Sequence, residues 1–394
     1  MNKNVLIITR TLTGGGAERV ATSIATYLSG KNKVYLAVID NSVNTYGSTV
    51  ETIDLGMSVT NKGNRLKWFY GLYKKVKRIK IDKNIDVCVS FLTEPDLVNI
   101  LTRKYSKTIL SIRNKRSAVV KGKIKKLRDI FEFRKADSIV SLSEMVKYDL
   151  ERNYYVKTEK IKVIYNPCDV QKIHEIPKLE GDQDLEFLEG KKYIVTAGRL
   201  EEQKGQWHLI RSFKKIVEKN PEIYLVILGQ GKLEKELKAL SEIENVSSNV
   251  LFLGYKENVY DYLKNAEMFV FSSIFEGLGN ILIEALACNL PIISTDCDSG
   301  PREILAPELD CKETGLLTEV YYGEYGVLVP VMTGIHYEYG KELDSKEIML
   351  AEAVNTMLED KELRNKYCNN SKKRQQDFSV EYITDKWEQL INNI

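Results

Sequence analysis

The stretch Phe269–Leu305, FVFSSIFEGLGNILIEALACNLPIISTDCDSGPREIL, decides the fold of this chain. The apolar run Met268–Phe271 predicts a buried strand, and the apolar spacing over Ile281–Ala287 predicts a helix with Asn280 as its N-cap. The run Pro291–Ser294 then predicts a second strand. This order is the repeating unit of a parallel α/β sheet. The loop between strand and helix therefore lies at the carboxyl end of a strand, where open α/β sheets bind ligands.

Two carboxylates occur eight residues apart in this stretch. Glu276 lies in the loop beside Gly277 and Gly279, and Glu284 lies on the helix one turn after Asn280. The free N–H groups at the start of the helix favour an anion. A nucleotide-sugar suits this pattern, because it has a central diphosphate and hydroxyl groups at both ends. The simpler interpretation is a helix cap and a solvated helix residue, and a second motif argues against it.

The second motif follows a predicted strand at Tyr193–Ala197 and has the sequence Gly198-Arg199-Leu-Glu-Glu-Gln-Lys204-Gly205. Arg199 and Lys204 would place two cations in one loop, where they could bind a diphosphate. Without other information, two surface charges on a loop would be the preferred interpretation.

Both motifs resemble those of one family. Glu276-Gly-Leu-Gly-Asn-Ile-Leu-Ile-Glu284 is similar to the E-x7-E signature of the retaining family-4 glycosyltransferases, which have the GT-B fold. The 198–205 loop is similar to the phosphate-binding motif of that family, and it precedes the E-x7-E motif by about eighty residues, as in relatives. Residues 290–296 and 299–305 resemble the branch that builds bacterial surface polysaccharides.

The resemblance implies an α/β protein with two Rossmann-like, doubly wound domains facing across a cleft. The expected boundaries are an acceptor-side domain at 1–176, a linker at 177–190 and a nucleotide-sugar-binding domain at 191–372. A C-terminal helix at 373–394 is expected to pack back on the first domain. The acidic composition and the Pro and Gly residues of 177–190 independently favour a linker.

The resemblance also implies roles for individual residues. Arg199 and Lys204 would neutralise the leaving diphosphate of a UDP-sugar, and Glu276 would face the donor sugar and an oxocarbenium-like transition state. No acceptor base is identifiable, and the leaving phosphate is the proposed base of the family. Neither a metal nor another cofactor is expected, since the Asp296-Cys-Asp298 sequence is better explained as a turn. The donor-binding residues expected from the family are Gly15, Gly16, Gly229, Gly231, Tyr255, Gly277, Leu278, Gly279, Asn280 and Glu284.

The N-terminal half supplies candidates for the acceptor side. A glycine loop ending at Gly16 separates a predicted strand from a helix that contains Glu18. Arg113 and Asn114 follow another predicted strand, at a place where many relatives have a histidine that helps catalysis or donor binding. Arg113 is either structural or a ligand of an acceptor phosphate. These residues, like the implied hexose or N-acetylhexosamine donor and the lipid-linked or glycan acceptor, remain open at this point.

Two basic segments lie in the same half. Residues 61–80 contain eight Lys or Arg and no acidic residue, with four aromatic residues among them, and residues 103–135 contain thirteen Lys or Arg against two acidic residues. RNA binding, an anionic membrane surface and a solvated surface all fit this composition. Because the implied enzymes often use lipid-linked acceptors, we favour membrane association through 62–80 and 103–135, without nucleic acid.

Composition limits the remaining choices. The 394 residues suit two domains, and the net charge of +3 and 43% hydrophobic content are those of a globular protein. No apolar run approaches a membrane span of about 18 residues, and the start lacks a signal peptide. Six unpaired cysteines and three scattered histidines favour reduced thiols and no zinc site, in a cytoplasmic protein at the inner face of the membrane. The alternative functions are a nucleotide-sugar epimerase or hydrolase of the same fold, and a non-catalytic nucleic-acid-binding protein.

Overall fold

The computed structural model describes residues 2–13, 16–42, 48–177, 179–310, 315–333 and 341–394. The chain divides into two compact units. The first consists of Met1–Pro167 together with Val380–Ile394, and the second is Cys168–Ser379. Each unit is built on its own seven-stranded sheet.

The first unit has a parallel sheet in the order β3-β2-β1-β4-β5-β6-β7. The strands are β1 (Asn4–Thr9), β2 (Lys33–Val38), β3 (Glu51–Asp54), β4 (Val87–Phe91), β5 (Lys107–Ile112), β6 (Ser138–Ser141) and β7 (Ile161–Val163). The helices are α1 (Gly16–Leu28), α2 (Arg65–Asp82), α3 (Thr93–Leu101), α4 (Arg116–Val119), α5 (Lys123–Lys135) and α6 (Glu144–Tyr154). The central strands are buried on both faces, as in sheets that helices cover on both sides.

The second unit has the order β10-β9-β8-β11-β12-β14-β13, in which only β13, antiparallel to β14, departs from the parallel arrangement. The strands are β8 (Tyr193–Ala197), β9 (Tyr224–Leu228), β10 (Val250–Gly254), β11 (Met268–Phe271), β12 (Ile292–Thr295), β13 (Tyr321–Tyr322) and β14 (Val327–Val329). The helices are α7 (Val170–Glu175), α8 (Gln183–Leu188), α9 (Gln206–Lys219), α10 (Glu234–Ile243), α11 (Tyr260–Lys264), α12 (Asn280–Ala287), α13 (Pro301–Leu305), α14 (Ser345–Glu359) and α15 (Lys361–Arg374).

The last helix, α16 (Val380–Asn392), belongs to the first unit, where it packs on α1. Ile383, Trp387 and Ile391 recur every four residues on one face, and all three are buried in the core that α1 shares with β1. The segment 373–394 was predicted to pack on the first unit as a whole. Only the part from Val380 onward does so, because residues 373–379 belong to the second unit.

The expected linker 177–190 falls inside the second unit and not between the units, and its residues Gln183–Leu188 form α8. Asp182 caps this helix and also accepts a hydrogen bond from the Tyr262 hydroxyl at 2.8 Å. Lys256 lies 3.3 Å from the same carboxylate, and Leu185 and Leu188 are buried. The acidic side chains that favoured a solvated linker are therefore helix caps and ion-pair partners.

Two further findings concern the cysteines and the apolar character of the helices. Five of the six cysteines lie in the described ranges and are free thiols, while Cys311 lies outside those ranges. Across the same ranges, none of the helices combines the length and apolar character that crossing a bilayer requires.

Candidate functional site

The loop after β8 lies against the segment after β11 through several hydrogen bonds. The Ser272 hydroxyl donates to the Lys204 carbonyl at 3.0 Å, and the Ile274 N–H donates to the Gln203 carbonyl at 2.8 Å. Gly205 makes this approach possible, since it has a positive φ of 58° and a Cβ there would lie 2.4 Å from the Ser272 carbonyl oxygen. The two motifs, separated in sequence, are therefore joined at the carboxyl edge of the sheet.

Lys204 and Glu276 meet at this junction. The Lys204 Nζ atom lies 2.6 Å from Glu276 Oε1, and the two side chains are 15% and 8% exposed. The same ammonium group lies 5.0 Å from the centroid of the Phe271 ring, at the end of β11. A largely buried cation and anion in direct contact, beside the carboxyl ends of strands, form a polar centre suited to a charged ligand.

Arg199 lies in the same loop but does not join this contact. Its side chain is 67% exposed, and its guanidinium is 3.1 Å from the Glu201 carboxylate. The structure thus brings Lys204 and Glu276 into contact and leaves Arg199 at the surface of the loop.

Gln203 has a role that the sequence reasoning missed. Its side-chain amide donates to the Phe275 carbonyl at 3.0 Å, directly before Glu276. Gln203 is the glutamine of the G-R-L-x-x-Q-K-G motif, whose charged residues alone predict diphosphate binding. Gln203 positions the loop that holds Glu276.

The start of α12 differs from the prediction. The helix begins at Asn280, and its N-cap is Gly279, which has a φ of 83° and makes no side-chain cap. Asn280 was therefore wrongly predicted as the cap, since a left-handed residue at this position needs glycine. Glycine supplies no cap side chain, and the Leu282 N–H donates to the Gly279 carbonyl at 2.9 Å. The N-terminal end of a helix favours an anion. Glu284 lies half-buried on the next turn.

The other predicted donor-binding residues follow neighbouring strands of the second unit. Gly229 and Gly231 follow β9, and the Gly229 N–H donates to the carbonyl of Gly254, the last residue of β10, at 2.7 Å. Tyr255 comes next and its side chain is 70% exposed. These loops share the edge that holds the Lys204–Glu276 contact.

The loop after β12 supports the residues around Leu278. The Ser299 hydroxyl donates to the Gly277 carbonyl at 2.8 Å, and Leu278 itself is buried. Asp296 is buried and paired with Arg302, with a distance of 2.9 Å between Arg302 Nε and Asp296 Oδ1, and it also accepts the Leu317 N–H. Asp296 therefore holds the turn that leads into α13.

A group with metal-ligand spacing is found elsewhere in the described residues. His208, Asp344 and Glu347 come together where α9 meets α14. The His208 ring contacts Glu347 at 2.8 Å and the Thr333 carbonyl at 2.7 Å, and Arg211 donates to the same carboxylate at 2.9 Å. Because both ring nitrogens and the carboxylate already have partners, this group stabilises helix packing.

The acceptor-side candidates lie in the first unit. Gly16 opens α1, and Glu18 accepts a hydrogen bond from the Thr11 hydroxyl at 3.3 Å, while Gly15 is outside the described residues. Arg113 follows β5 and donates to Ser111 Oγ at 3.3 Å, with Asn114 half-buried beside it. These residues lie at or beside the carboxyl edge of the first sheet.

The basic segments are less uniform than their sequence suggests. Lys62 pairs with Glu94 at 2.6 Å, and Lys80 is 1% exposed and donates to the Asn99 side chain. Of the four interleaved aromatic residues, Tyr70 is exposed. The other three are partly buried and pack on the core; they are Trp68, Phe69 and Tyr73. A row of stacking platforms for RNA bases is therefore not present on α2.

The fold is that of the GT-B glycosyltransferases, and comparison with known proteins agrees. A family model described as Glycosyl transferases group 1 matches residues 178–324, and one described as Glycosyltransferase Family 4 matches residues 14–172. The HepE protein of Anabaena, solved with UDP and glucose, superposes with a TM-score of 0.75 over 100% of both chains at 15% identity. This likeness shows the fold.

Two curated relatives define the family more narrowly. The chain is 31% identical over 378 residues to the N-acetylgalactosamine-N,N'-diacetylbacillosaminyl-diphospho-undecaprenol 4-alpha-N-acetylgalactosaminyltransferase of Campylobacter jejuni, covering 93% of each protein. It is 38% identical over 263 residues to an uncharacterized glycosyltransferase of Methanocaldococcus jannaschii, a match that spans 66% of this chain and 64% of that protein. The chain belongs to the GT-B glycosyltransferases, with a family-4 first unit and a group-1 second unit.

Proposed function

We propose that this glycosyltransferase moves a hexose or N-acetylhexosamine from a UDP-sugar, with retention of configuration, to a lipid-linked or glycan acceptor during surface polysaccharide assembly. The observation that carries the proposal is the 2.6 Å contact between Lys204 and Glu276 at the carboxyl edge of the second sheet. It joins the two motifs at one polar centre in the loop that leads into the N-terminal end of α12.

Charge stabilisation of the leaving group is the first part of the mechanism. As the glycosidic bond breaks, negative charge grows on the diphosphate, and Lys204 and Arg199 offset it. Arg199 would exchange its exposed ion pair with Glu201 for the diphosphate, whereas Lys204 is largely buried against Glu276. We propose that these cations and the N–H groups of α12 neutralise the diphosphate without a resident metal, so activity should survive EDTA.

The carboxylates hold the two ends of the donor. Glu276 accepts hydrogen bonds from the sugar hydroxyls and faces the positive charge that develops at the anomeric carbon. Glu284, half-buried on α12, binds the ribose hydroxyls. The exposed Tyr255 and the backbone after β9 contact the base. The leaving phosphate accepts the proton of the acceptor hydroxyl.

The relatives support the substrate classes. The Campylobacter protein is named for transferring N-acetylgalactosamine to a saccharide on diphospho-undecaprenol, and the HepE structure holds UDP and glucose. We therefore propose a UDP-sugar donor and an acceptor carried on a lipid diphosphate.

The decisive experiment has two parts. A panel of UDP-sugars is titrated into the wild-type protein to find the donor, and the rate of sugar transfer is then measured for the Lys204→Ala variant. We expect turnover to fall by about 10²–10³-fold, the usual loss for one electrostatic contact to a transition state. Lys238→Ala is the matched control, since Lys238 lies on α10, is 50% exposed and pairs with Glu234 on the same helix. An unchanged rate in Lys204→Ala refutes the assignment, and product formed without acceptor would indicate an epimerase or hydrolase.

We also propose that the protein associates with an anionic membrane surface through α5 and its neighbours. Ile124, Leu127 and Phe131 are 85%, 65% and 42% exposed, and their spacing places them on one face of α5. Lysines flank this apolar face; they are Lys121, Lys123, Lys125 and Lys126. Exposed apolar residues between cations are typical of helices that lie in a membrane interface.

A further inference from the structure

Arg113 in the first unit is half-buried, and its guanidinium has no charge partner among the described residues. One guanidinium nitrogen donates to Ser111 Oγ at 3.3 Å, and the guanidinium carbon lies 5.9 Å from the centroid of the Phe91 ring. The other terminal nitrogen, Nη2, is buried and has no hydrogen-bond partner. Within the described part of the chain, no carboxylate pairs with this side chain. Burial alone lowers the pKa of Arg113 to about 9.

Neighbouring arginines are treated differently by the fold. Arg116 and Arg128 contact the two oxygens of the buried Asp129 carboxylate at 2.7 Å and 2.8 Å. The first unit thus supplies an internal anion for those two arginines and leaves Arg113 without one. Because a buried guanidinium nitrogen without a hydrogen-bond partner is unfavourable, the missing internal partner of Arg113 Nη2 indicates an external one.

Arg113 also shares its surroundings with another unsatisfied group. Thr9, Phe91 and Ser111 end or nearly end β1, β4 and β5, and alternation along these strands places all three side chains on the face that carries α1. The Thr9 hydroxyl is fully buried and has no hydrogen-bond partner. Thr9 lies two strands from β5, a separation of about 10 Å. Ligands bind at this edge of a parallel sheet.

We propose that Arg113, assisted by Thr9, binds an oxyanion of the substrate at the carboxyl edge of the first sheet. The source of the oxyanion is either a phosphate of the lipid-linked acceptor or a carboxylate on the transferred or accepting sugar. A guanidinium offers both of these groups two parallel hydrogen bonds. This assignment rests on the proposed function only in taking the anion to be part of a substrate.

The test uses a background in which the proposed donor cations are removed, Arg199→Ala with Lys204→Ala, so that added anions report on the first unit. Inorganic pyrophosphate and glucuronate are titrated separately while the thermal unfolding midpoint is followed, because a ligand that binds the folded state raises that midpoint. We expect one of the two anions to raise the unfolding midpoint. Adding Arg113→Gln to the same background should reduce that rise at least threefold. Arg152 is an exposed arginine on α6, and Arg152→Gln should leave the rise in the midpoint unchanged.

The outcomes are separable. A rise with pyrophosphate that depends on Arg113 assigns a phosphate, and a rise with glucuronate alone assigns a sugar carboxylate. Without ligand, Arg113→Gln should be as stable as the parent, whereas a structural arginine would lose stability. Arg113→Lys, which keeps the charge, guards against a glutamine variant that does not fold and should retain part of the rise. Equal rises with and without Arg113, or no rise with either anion, overturn the proposal. Failure of UDP to bind the wild-type protein would instead refute the proposed function.

Discussion

Gly300 allows the loop after β12 to pass against the backbone of Leu278. Its φ is 93°, and a Cβ at this position would lie 1.9 Å from the Leu278 carbonyl oxygen. Gly300→Ala should lower the free energy of unfolding by at least about 2 kcal/mol more than Gly181→Ala, which shares a positive φ of 75° but has open space around it. Urea unfolding measures both variants. Equal losses in the two variants would show that the positive φ, and not overlap of the new Cβ with Leu278, determines the loss of stability.

The contact between Lys204 and Glu276 predicts coupled kinetics. Lys204→Ala and Glu276→Ala should each lower kcat/KM by about 10²–10³-fold, since both act on one transition state. The double variant should lose no more than about tenfold beyond the worse single variant, because groups that act as a unit are not additive. Steady-state kinetics on all three variants give the coupling. Fully multiplicative losses would mean that the two side chains act independently.

At the scale of single residues, the charged side chains of the two motifs were the ones that the sequence singled out, and Arg199 stays at the surface. Lys204 and Glu276 were both expected at the donor site, and the structure brings them together. The pairing of Asp296 with Arg302 and the capping of α12 by Gly279 were not predicted, because they depend on backbone dihedrals and on contacts that a local pattern does not specify.

The helix α16 is the element that joins the end of the chain to the first unit. Trp387 is 1% exposed in the core it shares with α1. Trp387→Ala should lower the free energy of unfolding by about 3–5 kcal/mol through lost burial and a residual cavity. Tyr382→Ala on the same helix, where the side chain is 44% exposed, should cost less than about 1 kcal/mol. Urea unfolding followed by circular dichroism compares them, and similar losses would contradict a core role for Trp387.

A buried carboxylate on α5 predicts a pH dependence of stability. Burial, with a smaller contribution from the Asp129 carboxylate, raises the pKa of Glu132 to about 8, although Arg128 and Arg116 oppose this change. Burial also raises the pKa of Asp96, which lies on α3. Since the folded state holds these protons more tightly than the unfolded state, whose glutamate pKa is about 4.3, stability should fall as pH rises from about 5 to 8.

Glu132→Gln isolates this effect, because it keeps a neutral side chain at every pH. The decline in the free energy of unfolding between pH 5.5 and pH 8 should shrink by an amount on the order of 2 kcal/mol. Glu159→Gln, at a 71% exposed side chain, serves as the control and should keep the wild-type decline. If Glu132→Gln shows the same decline as the wild type, Glu132 ionises normally in the folded protein.

At the scale of elements, the sequence predicted β8, β11 and β12 within one residue, because each is a short apolar run. The exposed strand β3, with the polar sequence Glu-Thr-Ile-Asp, gave no such signal, and the two-residue β13 was equally invisible. The helix α8 was hidden in an acidic stretch whose charges became caps and ion pairs. The strands β3 and β13 form because they pair with neighbouring strands, and not because of their own strand propensity.

For the whole molecule, charge is distributed unevenly although the net charge is only +3. The basic segments fall in the first unit, where some cations are used internally and others surround the apolar face of α5. Each cation near an anionic surface contributes about 1 kcal/mol, and buried apolar side chains add to this. The order of the motifs could be predicted from the sequence, but the division of these cations between internal pairs and free surface depended on the fold.

Membrane association therefore has a sharp test in co-sedimentation with lipid vesicles. At low salt, vesicles rich in acidic lipid should sediment the protein and neutral vesicles should not, and about 0.5 M salt should release it because exposed charges are then screened. Leu127→Asp should weaken binding at least tenfold, since it places a charge in the apolar face of α5. Ile243→Asp, at an apolar residue of α10 that is 47% exposed, should bind as the wild type does. Equal sedimentation with acidic and neutral vesicles, or equal losses in the two variants, would refute a membrane surface on α5.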